Sequence, residues 1–116
     1  MNIEKTNQFG KIAISLEAIA NVAGDQATLV YGVVGLVSKK AFLNPLGQFL
    51  KREDYADGVS VKKVKDGYEV SLYLVVSKDV KISEVTTEIQ KQVHYALDRQ
   101  FGMHFKAVNV FIQAVK

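Results

Sequence analysis

The chain has 116 residues, a formal net charge of +3, 48% hydrophobic residues and 23% charged residues. These values are typical of one globular domain with its own core, so we expect residues 1–116 to form a single domain. Cysteine is absent, which excludes disulfides, thiolate zinc sites and cysteine nucleophiles. No apolar run approaches the roughly 20 residues that cross a bilayer, and no signal-peptide pattern is present, so we expect a cytoplasmic protein.

The first third of the chain predicts a strand, a helix and a second strand. Residues 11–14 alternate as a short strand, and Ser15 stands at the position of a helix N-cap. Apolar residues at helical spacing predict a helix over residues 16–30, which Gly24 is expected to weaken or end early. Residues 33–37 predict the next strand.

A long connection follows, from residue 39 to residue 57. Asn44 and Pro45 predict the start of a short helix, with Asn at the cap and Pro in the first turn. Leu46, Phe49 and Leu50 form a short apolar stripe in this segment. Connections of this length are often functional, so Phe49 and Leu50 are candidate partner-binding residues. The alternatives are shallow insertion at an anionic membrane surface and, preferred here, packing of both side chains on the core.

The last half predicts a hairpin, a long helix and a final strand. Residues 59–64 and 68–76 are predicted strands, joined by a primed turn with positive φ at Asp66 and Gly67. A helix is predicted over residues 83–101, with Ser83 as its cap and Gly102 as its end. Its buried stripe is Val85, Ile89, Val93, Ala96 and Leu97. Residues 105–115 are predicted to be the final strand.

These elements predict an α+β fold: a small mixed sheet with two main helices on one face and a short inserted helix. Alternation then places an apolar set on the opposite sheet face: Tyr73, Val75, Phe105, Ala107, Phe111 and Val115. Four polar residues interrupt it: Ser71, Ser77, Asn109 and Gln113. An apolar patch on an exposed face predicts a covering surface. Either the chain's own segments cover it, or a second copy or partner protein docks there through Tyr73, Val75 and Phe111.

No catalytic constellation is recognisable, so we expect neither enzymatic activity nor a cofactor. His94 and Asp98 lie one helical turn apart, but no further ligand pair joins them, and a solvated helix face is the preferred interpretation over a metal site. The acidic residues Glu53, Asp54 and Asp57 have no evident partner base. Nucleophile-elbow, phosphate-loop and dinucleotide motifs are absent from the sequence.

An RNA-binding module is the alternative function. KH domains clamp nucleic acid with a GxxG loop, and residues 32–35 read Gly-Val-Val-Gly. Residues 39–65 carry seven Lys or Arg and three Asp or Glu, which gives a net charge of 7 − 3 = +4. A positive charge of this kind suits phosphate contacts. Against this interpretation, the two central valines are typical of a strand, and no aromatic stacking platform accompanies them. Nucleic acid is therefore an unfavoured partner.

Across essentially its whole length, the chain resembles the alkaline shock protein family of Gram-positive bacteria, also called envelope stress response proteins. The resemblance rests on the joint spacing of common apolar and glycine positions, because each single motif is generic. The matching elements are Gly10-x-Ile12-x-Ile14-Ser15 with Ile19 and Ala23, Tyr31 to Gly35, Gly58-Val59, Ile82 to Val85 with Gln90 and Val93, and Val108-Asn109-Val110. One departure is Lys78-Asp79, where family members often carry Tyr-Gly.

The resemblance implies a small α/β protein without an established enzymatic activity. Residues 42–53 look like an insertion of a small cytoplasmic subgroup, often encoded beside a dihydroxyacetone-kinase-like fatty acid kinase. Some relatives are held at the membrane by a separate anchor protein. The implied partners are a second copy of the chain, or a membrane-associated or lipid-metabolism protein.

Overall fold

The computed structural model describes residues 2–7, 10–39, 49–102 and 105–116, with side chains described from residue 15 onward. Two α-helices, a 3₁₀ helix and six strands lie in these ranges. In chain order they are β1 (Asn2–Asn7), β2 (Gly10–Ser15), α1 (Leu16–Leu29), β3 (Val33–Leu36), the 3₁₀ helix (Arg52–Gly58), β4 (Val59–Val64), β5 (Gly67–Val76), α2 (Ile82–Phe101) and β6 (Phe105–Val115). The predicted α+β class is confirmed.

Strand β5 is the centre of the main sheet. β6 pairs with it in parallel along nearly its whole length, from Tyr68 beside Phe105 to Val76 beside Val115. β3 and β4 pair with it antiparallel, β3 against residues 74–76 and β4 against residues 67–72. Because β6 occupies one edge of β5, β3 and β4 share the other edge, end to end. The sheet is therefore mixed, as predicted.

The core lies between this sheet and the two helices. Alternate residues of β5 face the helices and are completely buried: Val70, Leu72, Leu74 and Val76. The stripe of α2 against them is Val85, Ile89, Val93 and Leu97, while Ala96 is only half-buried. α1 contributes mainly small side chains, which let it pack close to the sheet: Ile19, Ala20, Ala23 and Ala27.

Helix α1 begins where its sequence predicts. The Ser15 hydroxyl accepts a hydrogen bond from the backbone N–H of Ala18 at 3.2 Å, satisfying a donor that the helix leaves free. The helix continues through Gly24 to Leu29, so the expected break at that glycine is wrong. Gly24 is buried against the Tyr55 ring, and tertiary packing there outweighs its poor helix propensity.

Helix α2 begins one residue earlier than predicted. Its N-cap is Lys81, without a side-chain cap, and Ser83 lies inside the first turn, where its carbonyl accepts from the Thr87 hydroxyl at 2.9 Å. The predicted Ser83 cap is therefore wrong. The predicted end is confirmed: Gly102 has φ 61°, and its N–H donates to the Asp98 carbonyl.

The β4–β5 hairpin is present, but its turn lies one residue earlier than predicted. Val64 pairs with Gly67, so Lys65 and Asp66 are the central residues. Only Asp66 has positive φ, at 67°, which Asp tolerates better than most residues. The prediction of positive φ at both Asp66 and Gly67 is wrong.

One segment of the first half differs from expectation. β1 is a strand that the sequence analysis missed, and it pairs antiparallel with β2 as a separate two-stranded sheet. The predicted helix start at Asn44 and Pro45 lies outside the described residues. The helical part of the long connection that the structure does describe is the 3₁₀ helix, which begins at Arg52.

Candidate interaction surface

The face of the main sheet opposite the helices, here called the open face, carries the predicted partner-binding residues of the strands. The strand register of β5 and β6 sets its rows in order: Glu69 beside Ala107, Ser71 beside Asn109, Tyr73 beside Phe111, and Val75 beside Ala114. Residues at these positions point away from the helices because successive strand residues alternate between faces.

Two aromatic rings mark the middle of the open face. Tyr73 and Phe111 lie side by side on neighbouring strands, with ring centroids 5.0 Å apart and planes within 17°. Phe111 is 45% exposed. Cross-strand aromatic pairs stabilise a sheet, but a half-exposed pair also leaves apolar area that association can bury. The structure thus brings Tyr73 and Phe111 together as an exposed apolar centre.

Phe49 covers the next row of this face. Its ring lies over Gly35, where an added Cβ would stand only 3.0 Å from Cδ1, and the Lys116 ammonium sits 5.2 Å from the ring centroid. Val37 and Val75 are buried although neither belongs to the core beneath the helices. The Phe49 side chain therefore shields part of the open face, and Val75 is a covered residue rather than an exposed contact.

Leu50, the next residue, goes to the other side. It packs against the core, close to Gly58, and its backbone N–H donates to the Leu36 carbonyl at 2.8 Å. Phe49 and Leu50 thus pack on opposite layers of the molecule. The preferred prediction, that both side chains pack on the core, is confirmed for Leu50 and is wrong for Phe49, which is 37% exposed and lies over Gly35 on the open face. Leu46 lies outside the described residues.

The segment that carries Phe49 is fastened to α1 by the residues that follow it. The Arg52 guanidinium makes a bidentate ion pair with the Asp25 carboxylate: Nε donates to Oδ1 and Nη2 donates to Oδ2, each at 3.0 Å. Hydrogen bonding to Asp25, reinforced by its charge, raises the pKa of Arg52 above its ordinary value. The Tyr55 ring packs on Gly24. These contacts position the 3₁₀ helix and the residues before it.

Two residues predicted on the open face lie elsewhere. A register shift near the start of β6 pairs Phe105 with Tyr68, and Phe105 is completely buried in the helix-covered core. A second shift pairs Ala114 with Val75 and Val115 with Val76, so Ala114 takes the position predicted for Val115. Simple alternation fails at β-bulges because each adds one residue and reverses the facing of those beyond it.

The other half of the open face is polar. The Asn109 side-chain amide lies 3.4 Å from the Ser71 hydroxyl, and Ser60 of β4 is beside Ser71 in the register. Glu69 and Lys62 form the outermost row. The face therefore has an aromatic centre with a polar band on one side and the Phe49 cover on the other.

The remaining sequence candidates do not converge on a reactive centre. His94 Nδ1 lies 3.5 Å from Asp98 Oδ2 on a partly exposed face of α2. Within the described ranges, no group of three or more His, Asp or Glu side chains is placed to hold a metal ion. Glu53, Asp54 and Asp57 are exposed.

The RNA-binding alternative needs residues 32–35 as a projecting loop. Instead, Gly32 is in a turn with φ 100°, and the residues after it form β3. Gly35 is buried beneath Phe49. The segment is thus part of the sheet, and neither its geometry nor the comparisons below support RNA binding.

Sequence comparison identifies the family. Residues 4–116 match the model of the alkaline shock protein 23 family, described by its cell envelope-related function. The chain belongs to this family. The resemblance seen in the sequence is confirmed. The family description supports a function related to the cell envelope.

Curated relatives match over the whole chain. The uncharacterised protein Spy1614 of Streptococcus pyogenes is 40% identical over 100% of this chain and 96% of its own length. The uncharacterised protein YloU of Bacillus subtilis is 36% identical over 100% of this chain and 97% of its own length. Both relatives are uncharacterised, and both have nearly the same length as this chain.

Among solved structures, variants of the MamM CTD have a similar fold. One variant, and the copper form of another, superpose with a TM-score of 0.50 at 16% identity, covering 88% of this chain and 100% of theirs. At this identity the similarity concerns the fold alone. Separately, none of the helices in the described ranges has the length and apolar character that crossing a membrane requires.

Sequence reasoning missed two residues of this surface, Gly35 and Lys116. A glycine inside a strand pattern indicates close approach of another group, and that signal could have identified the site of the Phe49 ring. Lys116 had no comparable signal, because its position over Phe49 depends on the β6 register.

Proposed function

We propose that this protein is a non-catalytic scaffold that assembles with a second copy of itself through the open face, in the envelope-related role of its family. The observation that supports the proposal is the stacked pair of Tyr73 and Phe111, whose exposed area lies at the centre of the face. Burying such aromatic area is a main source of binding energy in protein interfaces.

The charges on the open face favour a second copy as occupant. Glu69 lies four ladder positions before Tyr73, and Lys116 follows Val115, the partner of Val76, at a point four positions after Tyr73. A two-fold axis lying in the interface and running across the strands at Tyr73 would place β5 of one copy over β5 of the other, in the reverse direction. Glu69 of one copy would then lie about one strand spacing, roughly 4.8 Å, to the side of Lys116 of the other, within reach of the lysine side chain. Such an isologous contact is self-complementary, as a two-fold dimer requires.

An anionic membrane surface fits this face less well. Lys62 and Lys116 are offset by Glu69, and the polar band is otherwise made of uncharged Ser71 and Asn109. Membrane-surface binding needs apolar area together with a clear excess of basic residues. We propose that the protein is cytoplasmic and that its link to envelope stress or lipid metabolism runs through a membrane-associated or lipid-metabolism protein.

Sedimentation velocity tests the assembly. We expect the wild-type chain to be dimeric at micromolar concentration, and Phe111→Ser to be monomeric because a polar side chain replaces the apolar centre. Tyr31→Ser is the matched control, since Tyr31 is also an exposed aromatic residue, at 88%, but lies outside the open face. Even a weak dimer would be populated at a protein concentration of about 100 µM. A wild-type chain that stays monomeric at that concentration would contradict the proposal.

A charge exchange tests the two-fold arrangement. Glu69→Lys and Lys116→Glu should each weaken the dimer, because each places like charges across the interface. The double variant should regain most of the wild-type affinity, since the opposite charges then face each other again. Single variants with unchanged affinity, or a double variant weaker than both, would exclude this orientation.

A further inference from the structure

The outer edge of β6 is not paired with any strand in the part of the chain that the structure describes. β6 pairs with β5 alone among the described strands. The Val108 carbonyl accepts a hydrogen bond from the Gln90 side-chain amide of α2 at 3.0 Å, so the backbone of Val108 points away from β5. Because the backbone groups of a strand alternate between its edges, those of Val110 point outward too. Free edges of this kind accept an added strand.

A groove runs between this edge and helix α2. It has a volume of about 930 Å³, and its floor includes four consecutive β6 residues, from Lys106 to Asn109. Its helical wall is one continuous stripe of α2, which includes Gln90, His94 and Asp98. The stripe from Thr87 to Arg99 spans roughly 18 Å at 1.5 Å per residue. An extended peptide of about five residues has that length.

The charges around the groove are mainly basic. Lys91, Arg99 and Lys106 line it, against the single carboxylate of Asp98. With His94 neutral, the sum is 3 − 1 = +2. One oxygen of the Asp98 carboxylate is buried, and the other lies 3.5 Å from His94 Nδ1. The groove thus combines a strand edge with a positive wall.

We propose that this groove binds an extended acidic peptide segment of a partner protein, which adds as a strand to the outer edge of β6. Addition of a peptide strand between a sheet edge and a helix is the binding mode of PDZ and PTB domains. Main-chain hydrogen bonds to Val110 supply affinity, and Lys91, Arg99 and Lys106 select acidic side chains facing α2. This site is separate from the open face, so the peptide-binding proposal does not depend on the proposed dimer.

The test uses the full-length ¹⁵N-labelled chain and a capped octapeptide of alternating Val and Glu. The matched peptide alternates Val and Lys. We expect saturable binding of the acidic peptide alone, with hydrogen exchange at the Val110 amide slowed at least about tenfold, because a strand bond protects that N–H. Binding without protection of Val110, or equal binding of the Val-Lys peptide, would overturn the proposal.

Charge-reversal variants separate specific docking from general attraction. Lys106→Glu and Arg99→Glu should each weaken binding by about tenfold or more, since each replaces an attractive charge with a repulsive one. Lys63→Glu is the matched control, because Lys63 is exposed on β4 and far from the groove in the sheet order. Equal losses in all three variants would overturn the proposal. So would preferential binding of a uridine hexanucleotide, or protection of Val110 by a second copy without peptide.

Discussion

The two faces of the β5–β6 pair differ sharply, although they belong to the same strands. On the helix-covered face, Leu72 and Leu74 are completely buried. On the open face, their immediate neighbour Tyr73 is half-buried and stacks on the half-exposed Phe111. One face stabilises the fold and the other keeps apolar area available for association. Substitutions on the two faces should therefore lower the stability of the monomer by very different amounts.

The largest expected contrast is between Leu72→Ala and Phe111→Ala. Leu72→Ala should lower the free energy of unfolding by about 3 kcal/mol, because it removes buried methyl groups and leaves a cavity. Phe111→Ala should cost less than about 1 kcal/mol in the monomer, since its side chain is already half in water. Urea denaturation at low protein concentration measures both. Similar losses for the two variants would remove the distinction between the faces.

Most of the covered face could be predicted from the sequence. The alternation from Val70 to Val76 and the spacing of Val85, Ile89, Val93 and Leu97 identify the buried residues, because each pattern repeats at the period of its element. The open face was harder. Its aromatic pair was predicted, but Phe105 and Val115 were misplaced because β-bulges leave no clear trace in residue type. The cover provided by Phe49 depends on a long connection whose path residue types do not determine.

Gly24→Ala tests how the 3₁₀ helix is fastened beside the covered face. Alanine should favour an isolated helix by about 1 kcal/mol. In this protein, however, the new Cβ would overlap the Tyr55 ring. Displacing that ring should cost more than the helix gains, so we expect a net loss of about 1–2 kcal/mol in unfolding free energy.

A double variant isolates the cause of that loss. In the Tyr55→Ala background, Gly24→Ala should become neutral or stabilising, because the ring that opposed the new methyl group is gone. Gln26→Ala is a control for general effects of alanine substitution on α1, since Gln26 is a partly buried residue of the same helix. A stabilising Gly24→Ala in the wild-type background would show that Tyr55 moves freely.

Phe49→Ala should uncover part of the open face at moderate cost. Phe49 is 37% exposed, and its ring shelters Gly35 and lies in the row of Val75. We expect a loss of about 1 kcal/mol, less than for a fully buried phenylalanine because part of the ring already contacts water. Thermal unfolding measures the loss, and a larger apolar dye-binding signal would report the uncovered surface. An unchanged melting temperature would show that Phe49 contributes nothing to the cover.

Gly35→Ala should have the smallest effect on stability and the most informative effect on structure. Alanine in a strand gains roughly 0.5–1 kcal/mol over glycine through lower chain entropy. The added Cβ would lie 3.0 Å from Phe49 Cδ1 and 3.2 Å from Cγ, so the ring must shift by a few tenths of an ångström. These terms oppose each other, so we expect a net change in stability near zero. The NMR resonances of the Phe49 ring and of the Lys116 side chain above it should shift together.

A large destabilisation would mean that the ring cannot move, and the cover would then be a rigid part of the fold. A shift confined to Gly35 would mean that the ring does not rest there, and the open face would extend as an apolar surface to the end of β6.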